Sequence, residues 1–284
     1  MNSLGLVCLH AHPDDEAIAT GGSLARYAAE GMRTAVITCT GGERGEIHNM
    51  DEAQTRPRLA EVRRAELTAA LDRLGAGPPR MLGYVDSGMA GTDGNDDPAS
   101  FWRADFDEAV GRLVAMLREL RPDVFVTYDA FGGYGHPDHV QTHRVGLVAA
   151  EACGKAEVHP DAGPAWRIRK VYFSTIAKSW ALQASRELVA LGLPSPFGDD
   201  IATLEDVGVG TSDDEIDAVV DVRAHLATKM AALREHVSQL DRASFFLNMP
   251  EDLEARAFGV EAFVRLRSDV AVPAVEDDLF TGLR

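Results

Sequence analysis

Five short apolar runs alternate with longer amphipathic segments across the first two-thirds of the chain, and that alternation admits few architectures. Leu4 to Leu9, Thr34 to Thr40, Met81 to Val85, Val124 to Tyr128 and Lys170 to Ile176 read as buried strands. Between them, Ala17 to Gly31, Leu59 to Leu74, Phe106 to Leu120 and Val140 to about Cys153 carry apolar residues every three or four positions, the period of a helix with one buried face. Strands that alternate with helices imply a mostly parallel sheet covered by helices on both faces, a Rossmann-like α/β core. Such sheets bind ligands beyond the carboxyl ends of their strands, so chemistry is expected where a polar motif directly follows an apolar run.

Residues 1–192 are expected to form this catalytic core. Residues 193–212 are rich in Pro, Gly and Asp and read as a long loop. The remainder of 193–284 reads as a smaller α+β portion packed on the core, with one good helix from Val222 to Leu240; no residues there have catalytic spacing, although it can supply a pocket wall. Hydrophobic residues make up 45% and charged residues 26%, a balance that supports a core and excludes a disordered chain. The formal net charge of −17 repels phosphate backbones and anionic membranes, so neither a nucleic-acid nor a membrane partner is expected. Three scattered cysteines, Cys8, Cys39 and Cys153, build no disulfide framework. A signal peptide and a membrane span both lack the necessary pattern, and a cytoplasmic location is expected by elimination.

His12-Pro13-Asp14-Asp15-Glu16 follows the first strand and opens a helix. Pro13 biases His12 towards an extended backbone and suits a first helical position, and acidic residues in the first turn complement the helix dipole. An imidazole with up to three carboxylates at a strand end is a reasonable ligand set for a divalent metal. Taken alone, the run also reads as a plain helix start, capped by Asp14 or Asp15.

A second run, Tyr134-Gly135-His136-Pro137-Asp138-His139, follows the fourth strand after Gly132-Gly133 and opens a helix in the same manner. If the two strands are neighbours, the two His-Pro-Asp segments converge on one crevice, which chance does not readily produce. His143 reads as a surface or supporting helix residue, His10 as structural, and His48, His159, His225 and His236 as surface histidines. Arg56, Arg58, Arg63 and Arg64 form either a solvated helix face or a set from which one arginine reaches the site. Asp86, in Asp86-Ser87-Gly88-Met89 after the third strand, reads equally as turn or substrate contact. Neither a dinucleotide-binding glycine loop nor a P-loop occurs in the sequence.

These residues, Ala11-His12-Pro13-Asp14-Asp15-Glu16 and Gly133-Tyr134-Gly135-His136-Pro137-Asp138-His139, resemble the PIG-L/LmbE-like family of metal-dependent deacetylases. The similarity runs from Leu6 to about Val272 and is strongest before residue 150. The resemblance is closest to the actinobacterial thiol-pathway branch, which holds N-acetylglucosaminyl-inositol deacetylases and mycothiol S-conjugate amidases. The resemblance implies zinc (Fe2+ in the cell as an alternative) on His12, Asp15 and His139, with Asp14 as general base and His136 stabilising the oxyanion. It further implies a mobile Tyr134 beside that histidine, Asp138 as the carboxylate that orients His136, and Arg63 and Asp86 at substrate-binding positions. Asp86 to Thr92 and Gly135 resemble the deacetylases. Thr38 to Gly45 and Ser244-Phe245-Phe246 resemble the amidases, whose lysine is replaced here by Ala19. The implied reaction is removal of the N-acetyl group from an N-acetylglucosamine-containing small molecule, N-acetylglucosaminyl-inositol foremost. The alternatives are the S-conjugate amidase and a deacetylase of another N-acyl amino sugar, such as an antibiotic precursor. Oligomeric state is not legible.

Overall fold

Seven strands form one sheet in the order β3-β2-β1-β4-β5-β7-β6. The strands are β1 (Gly5–His10), β2 (Arg33–Thr40), β3 (Arg80–Tyr84), β4 (Val124–Thr127), β5 (Lys170–Thr175), β6 (Ala218–Asp221) and β7 (Val260–Ser268). The computed structural model describes residues 3–284 except 194, 196, 199, 242 and 243, and of Phe245 only the backbone. The Phe245 side chain, part of the amidase-like stretch, therefore lies outside the described residues. β1 to β5 run parallel, whereas β7 is antiparallel to both β5 and β6.

The helices are α1 (Asp15–Ala19), α2 (Gly21–Ala29), α3 (Glu52–Thr55), α4 (Leu59–Leu74), α5 (Phe106–Leu120), α6 (Pro137–Ala152), α7 (Lys178–Ala190), α8 (Leu226–Leu233), α9 (Phe245–Asn248) and α10 (Glu251–Phe258). Every residue of β1 is buried, and successive side chains point to opposite faces. Leu6 and Cys8 join a core built with Leu24, Leu67 and Leu71 from α2 and α4, and with Met230 and Leu233 from α8. Val7 and Leu9 join the opposite core with Leu113 and Val145 from α5 and α6. The continuous apolar runs read from the sequence are thus the signature of strands covered on both faces.

From β1 the chain moves outward to β2 and β3, then returns to place β4 on the other side of β1. The carboxyl ends of β1 and β4 therefore border the crevice where the winding reverses, the position at which open α/β sheets bind ligands. Both His-Pro-Asp segments follow these two strands.

Several expectations are revised. The segment 17–31 is two helices, because Thr20 leaves helical geometry at φ −136°; its hydroxyl turns back to the Glu16 carbonyl (3.2 Å) and lies 2.9 Å from His10 Nε2. The helix expected over 222–240 is a 3-10 turn followed by α8, which ends at Leu233; beyond it the buried Glu66 carboxylate captures the amide and hydroxyl of Ser238, both at 2.7 Å. β6 and β7 extend the same sheet across the boundary expected at residue 192, and α7 was not legible in the sequence. Among the described residues, no helix is long and apolar enough to cross a membrane.

Candidate metal centre and catalytic site

Three donor atoms from the two motifs meet at the β1–β4 crevice. His12 Nδ1 lies 3.2 Å from His139 Nε2 and 3.6 Å from Asp15 Oδ2, and His139 Nε2 lies 3.4 Å from the same oxygen. These separations suit ligands about 2.0–2.2 Å from a single zinc-like ion. The far side of each ring is also occupied. His139 Nδ1 faces the Gly132 carbonyl at 3.1 Å, and His12 Nε2 faces Asp138 Oδ2 at 3.2 Å. A proton on each of those outer nitrogens would leave the inner lone pairs free for a metal, whose charge would take the place of the extra proton that the carboxylates otherwise draw onto His12. His12, Asp15 and His139 thus form a group that could hold a divalent metal.

Charge points the same way. Burial alone lowers the affinity of His12 for a proton, but the carboxylates of Asp138, Asp15 and Asp86 outweigh it and draw positive charge strongly onto the ring. Burial pushes His139 down to about 3, so its imidazole is neutral. Burial also works against ionised Asp15, yet His139 and His12 hold its carboxyl well below the usual range. A box of carboxylates around two imidazoles is a place for a cation.

Neighbouring groups fix these rings. Tyr128, at the end of β4, stacks on His139 with ring centroids 4.4 Å apart and planes at 16°, and its hydroxyl lies 3.0 Å from His10 Nδ1. Gly132 must be glycine: its φ is +66°, and a Cβ there would stand 2.5 Å from the His139 Cβ. Ser87 donates its amide to Asp138 Oδ2 at 2.9 Å and its hydroxyl to Asp138 Oδ1. The Asp138 carboxylate therefore orients His12. This corrects the expectation that it orients His136, which instead meets the Asp138 backbone amide.

Asp14 adjoins this candidate group but is not part of it. Its backbone has φ 122°, rare and strained for a residue with a Cβ, at a cost of order 1–3 kcal/mol. Arg63 braces it, donating to Asp14 Oδ2 (3.0 Å), to the Pro13 carbonyl and to the Gly42 carbonyl (2.8 Å). Burial lifts the Asp14 carboxyl to about 6, against the pull of Arg63. A carboxylate with an affinity for protons close to neutrality suits general-base work.

His136 caps α6, its Nδ1 accepting the Asp138 amide at 3.1 Å. Burial and the charge drawn to His12 keep the ring neutral. With Nδ1 an acceptor, the proton sits on Nε2, which faces Asp86 Oδ1 at 4.0 Å. This is a fixed N–H donor beside the candidate metal group. Tyr134, 48% exposed, places its hydroxyl 3.4 Å from His139 Nε2 as a second donor.

Comparison with known proteins bears on which chemistry this geometry serves. The chain resembles the N,N'-diacetylchitobiose deacetylase of Pyrococcus horikoshii (TM-score 0.64, 18% identity, 92% of this chain and 83% of that one). It also resembles the 4-carboxy-2-hydroxymuconate hydratase of Pseudomonas putida (TM-score 0.59, 17% identity, 95% and 99%). Likeness at that distance establishes the fold alone. Sequence similarity goes further. A protein of Geodermatophilus obscurus named 1D-myo-inositol 2-acetamido-2-deoxy-alpha-D-glucopyranoside deacetylase is 43% identical, over 98% of this chain and 97% of its own length. The family described as PIG-L: GlcNAc-PI de-N-acetylase matches residues 7–150. The chain belongs to the PIG-L family.

Within this PIG-L site the structure brings together His12, Asp14, Asp15, Tyr134, His136, Asp138 and His139. Of the four clustered arginines it brings in Arg63; Arg56 instead donates to the Glu43 and Gly45 carbonyls. Arg63 and Asp86 are each 3% exposed; both terminal nitrogens of Arg63 are bonded to protein while its buried Nε has no partner among the described residues, and both oxygens of Asp86 are taken by backbone amides. Asp86 Oδ1 accepts the Gly88 amide at 2.7 Å, and Oδ2 accepts the Arg44 amide at 3.1 Å. His143 supports the β4 end through the Tyr128 carbonyl (2.9 Å), and His10 is structural. His236 corrects the surface reading: it is fully buried, 2.7 Å from Glu16. Sequence reasoning also missed the roles of Ser87 and Tyr128. Tyr128 had a local signal, as the last aromatic of a strand that feeds the second motif.

Proposed function

We propose that this PIG-L chain hydrolyses the acetamide of N-acetylglucosaminyl-inositol, releasing acetate and the free amine, with one zinc ion held by His12, Asp15 and His139. The observation that carries the reading is the pairing of a three-donor metal triangle with a carboxylate, Asp14, that the triangle leaves free. The substrate follows from the full-length relative named for that activity.

An amide is a poor electrophile and neutral water a poor nucleophile; a bound divalent cation polarises the acyl oxygen and acidifies water. The chain's own residues do the rest. Asp14 accepts the proton of the attacking water, and the grip of Arg63 keeps its carboxylate facing the crevice. Negative charge then develops on the acyl oxygen, where the His136 Nε2–H and the Tyr134 hydroxyl donate hydrogen bonds; one such donor contributes roughly 3–4 kcal/mol. Because His136 is a neutral imidazole, its Nε2–H is a poor acid, and the proton for the leaving amine comes back from Asp14. Asp86, 4.0 Å from that same Nε2, favours positive charge on the donating edge of the ring.

The test is acetate release from N-acetylglucosaminyl-inositol by protein stripped of metal and then restored with zinc or ferrous iron, with a mycothiol S-conjugate as competing substrate. Metal-dependent release from the sugar, faster than S-conjugate cleavage, is expected. Preference for the S-conjugate would move the chain to the amidases.

A further inference from the structure

We propose that His236 is a positioning residue for the catalytic carboxylate, acting through Glu16 on the backbone of Asp14. The inference rests on Asp14 being the base. It gives residues beyond the first two-thirds of the chain a part in the reaction.

Glu16 is completely buried and both of its oxygens are committed. Oε2 accepts the Asp14 amide at 2.9 Å, and Oε1 lies 2.7 Å from His236 Nε2. The fifth residue of the first motif is therefore no metal ligand. It is a bracket between the base and a histidine 220 positions away. Asp14 needs a bracket, because φ 122° is a conformation that the chain abandons unless its surroundings hold it. The direction of the Asp14 amide sets where its side chain leaves the backbone, so the Glu16 oxygen that receives that amide also aims the carboxylate.

His236 in turn is fixed on one side only. Nε2 meets Glu16, while Nδ1 makes no hydrogen bond among the described residues. Its place is set by the segment that carries it. The Ser238 amide and hydroxyl are held by Glu66 of α4, the Ser238 carbonyl accepts the His48 amide at 2.8 Å, and Asn49 Nδ2 donates to the Val237 and Leu240 carbonyls. Segment 236–240 is thus clasped by α4 and by the loop after β2, against the helix that begins at the metal site. A buried imidazole–carboxylate pair is a poor choice for stability alone, since apolar residues of similar volume commonly do as well or better. The pair is explained by what the far carboxylate oxygen does for Asp14.

The experiment compares His236→Leu, His236→Gln, Glu16→Gln and the His236→Gln/Glu16→Gln double variant with wild type, reading kcat, KM and bound metal per chain. His236→Leu is expected to lower kcat about 10- to 100-fold, the scale of a slight misplacement of a reacting group, with KM and metal content close to wild type. His236→Gln, whose amide can still donate to Glu16, is expected to recover most of that loss. The double variant is expected to lose no more kcat than Glu16→Gln alone. His236→Leu within twofold of wild type, no recovery by His236→Gln, or an additive double variant would each overturn the proposal. If His236→Leu does not fold, the two glutamine variants and their combination decide it. Asp14→Asn, assayed alongside, separates the two readings: retained turnover there removes the base assignment and this proposal with it, whereas lost turnover with an unaffected His236→Leu removes only the positioning role.

Discussion

Asp138 Oδ2 lies 3.2 Å from His12 Nε2, while Asp15 Oδ2 lies 3.6 Å from Nδ1 of the same ring. One imidazole is thus held between a carboxylate that orients it and a carboxylate that would share its metal. The orienting carboxylate is itself held by both polar groups of Ser87. Asp138→Ala is expected to weaken zinc binding about 10- to 100-fold, the usual consequence of losing the partner behind a ligand histidine. Competition against a chromogenic chelator measures it, and an unchanged zinc Kd would show that His12 keeps its orientation without Asp138.

Asp14→Asn removes proton acceptance while keeping the shape of the side chain. Turnover is expected to fall at least about 100-fold, with one zinc still bound per chain. His139→Ala, which deletes a ligand, should lose the metal itself. Metal analysis of both purified variants next to their rates separates base from ligand, and an Asp14→Asn protein with near-normal turnover would transfer the base role elsewhere.

His136→Ala is expected to lower kcat by about 100- to 1000-fold with little change in KM, because its Nε2–H acts on charge that exists only in the transition state. Tyr134→Phe should cost less, since its hydroxyl sits on a half-exposed side chain. Steady-state kinetics that showed the loss in KM instead would make His136 a substrate-binding group.

Gly42→Ala probes the brace around Arg63. Gly42 has φ +68°, and a Cβ there would stand 2.1 Å from Arg63 Nη1, whereas at Gly31, with φ +81°, a Cβ would meet nothing within 4 Å. Backbone strain of about 1–3 kcal/mol is common to both. Calorimetry should therefore find Gly42→Ala less stable than Gly31→Ala, and only Gly42→Ala should lose turnover. Equal melting temperatures would mean that Arg63 can move aside freely.

Much of this site was legible because its parts are local. Each motif follows a strand and opens a helix, and helices α4 and α5 begin and end where their apolar periods do, α4 at the left-handed Gly75 and α5 at the Asp105 cap, which accepts the Glu108 amide. What was not legible depends on partners distant in sequence. Ser87 meets Asp138 across 51 residues and His236 meets Glu16 across 220, and neither leaves a periodic trace. β7 carries Arg265 and Arg267 among its apolar residues, which blurs the alternation of a strand; Arg265 pairs with Glu276 and Asp217 rather than with water alone. One signal was available: Arg63 and Glu66 fall on the buried stripe of α4, where a charged residue needs a specific partner, and both have one.

The proposed ligand triangle spans the pairing of β1 with β4, strands more than a hundred residues apart that share the middle of the sheet. A cation seated there ties together segments that an unfolded chain keeps far apart, so it binds the finished sheet and not its precursors. Its free concentration then enters folding stability by mass action, about 2.7 kcal/mol at one hundred times its Kd. Metal supply would thus set the stability of the fold as well as the rate.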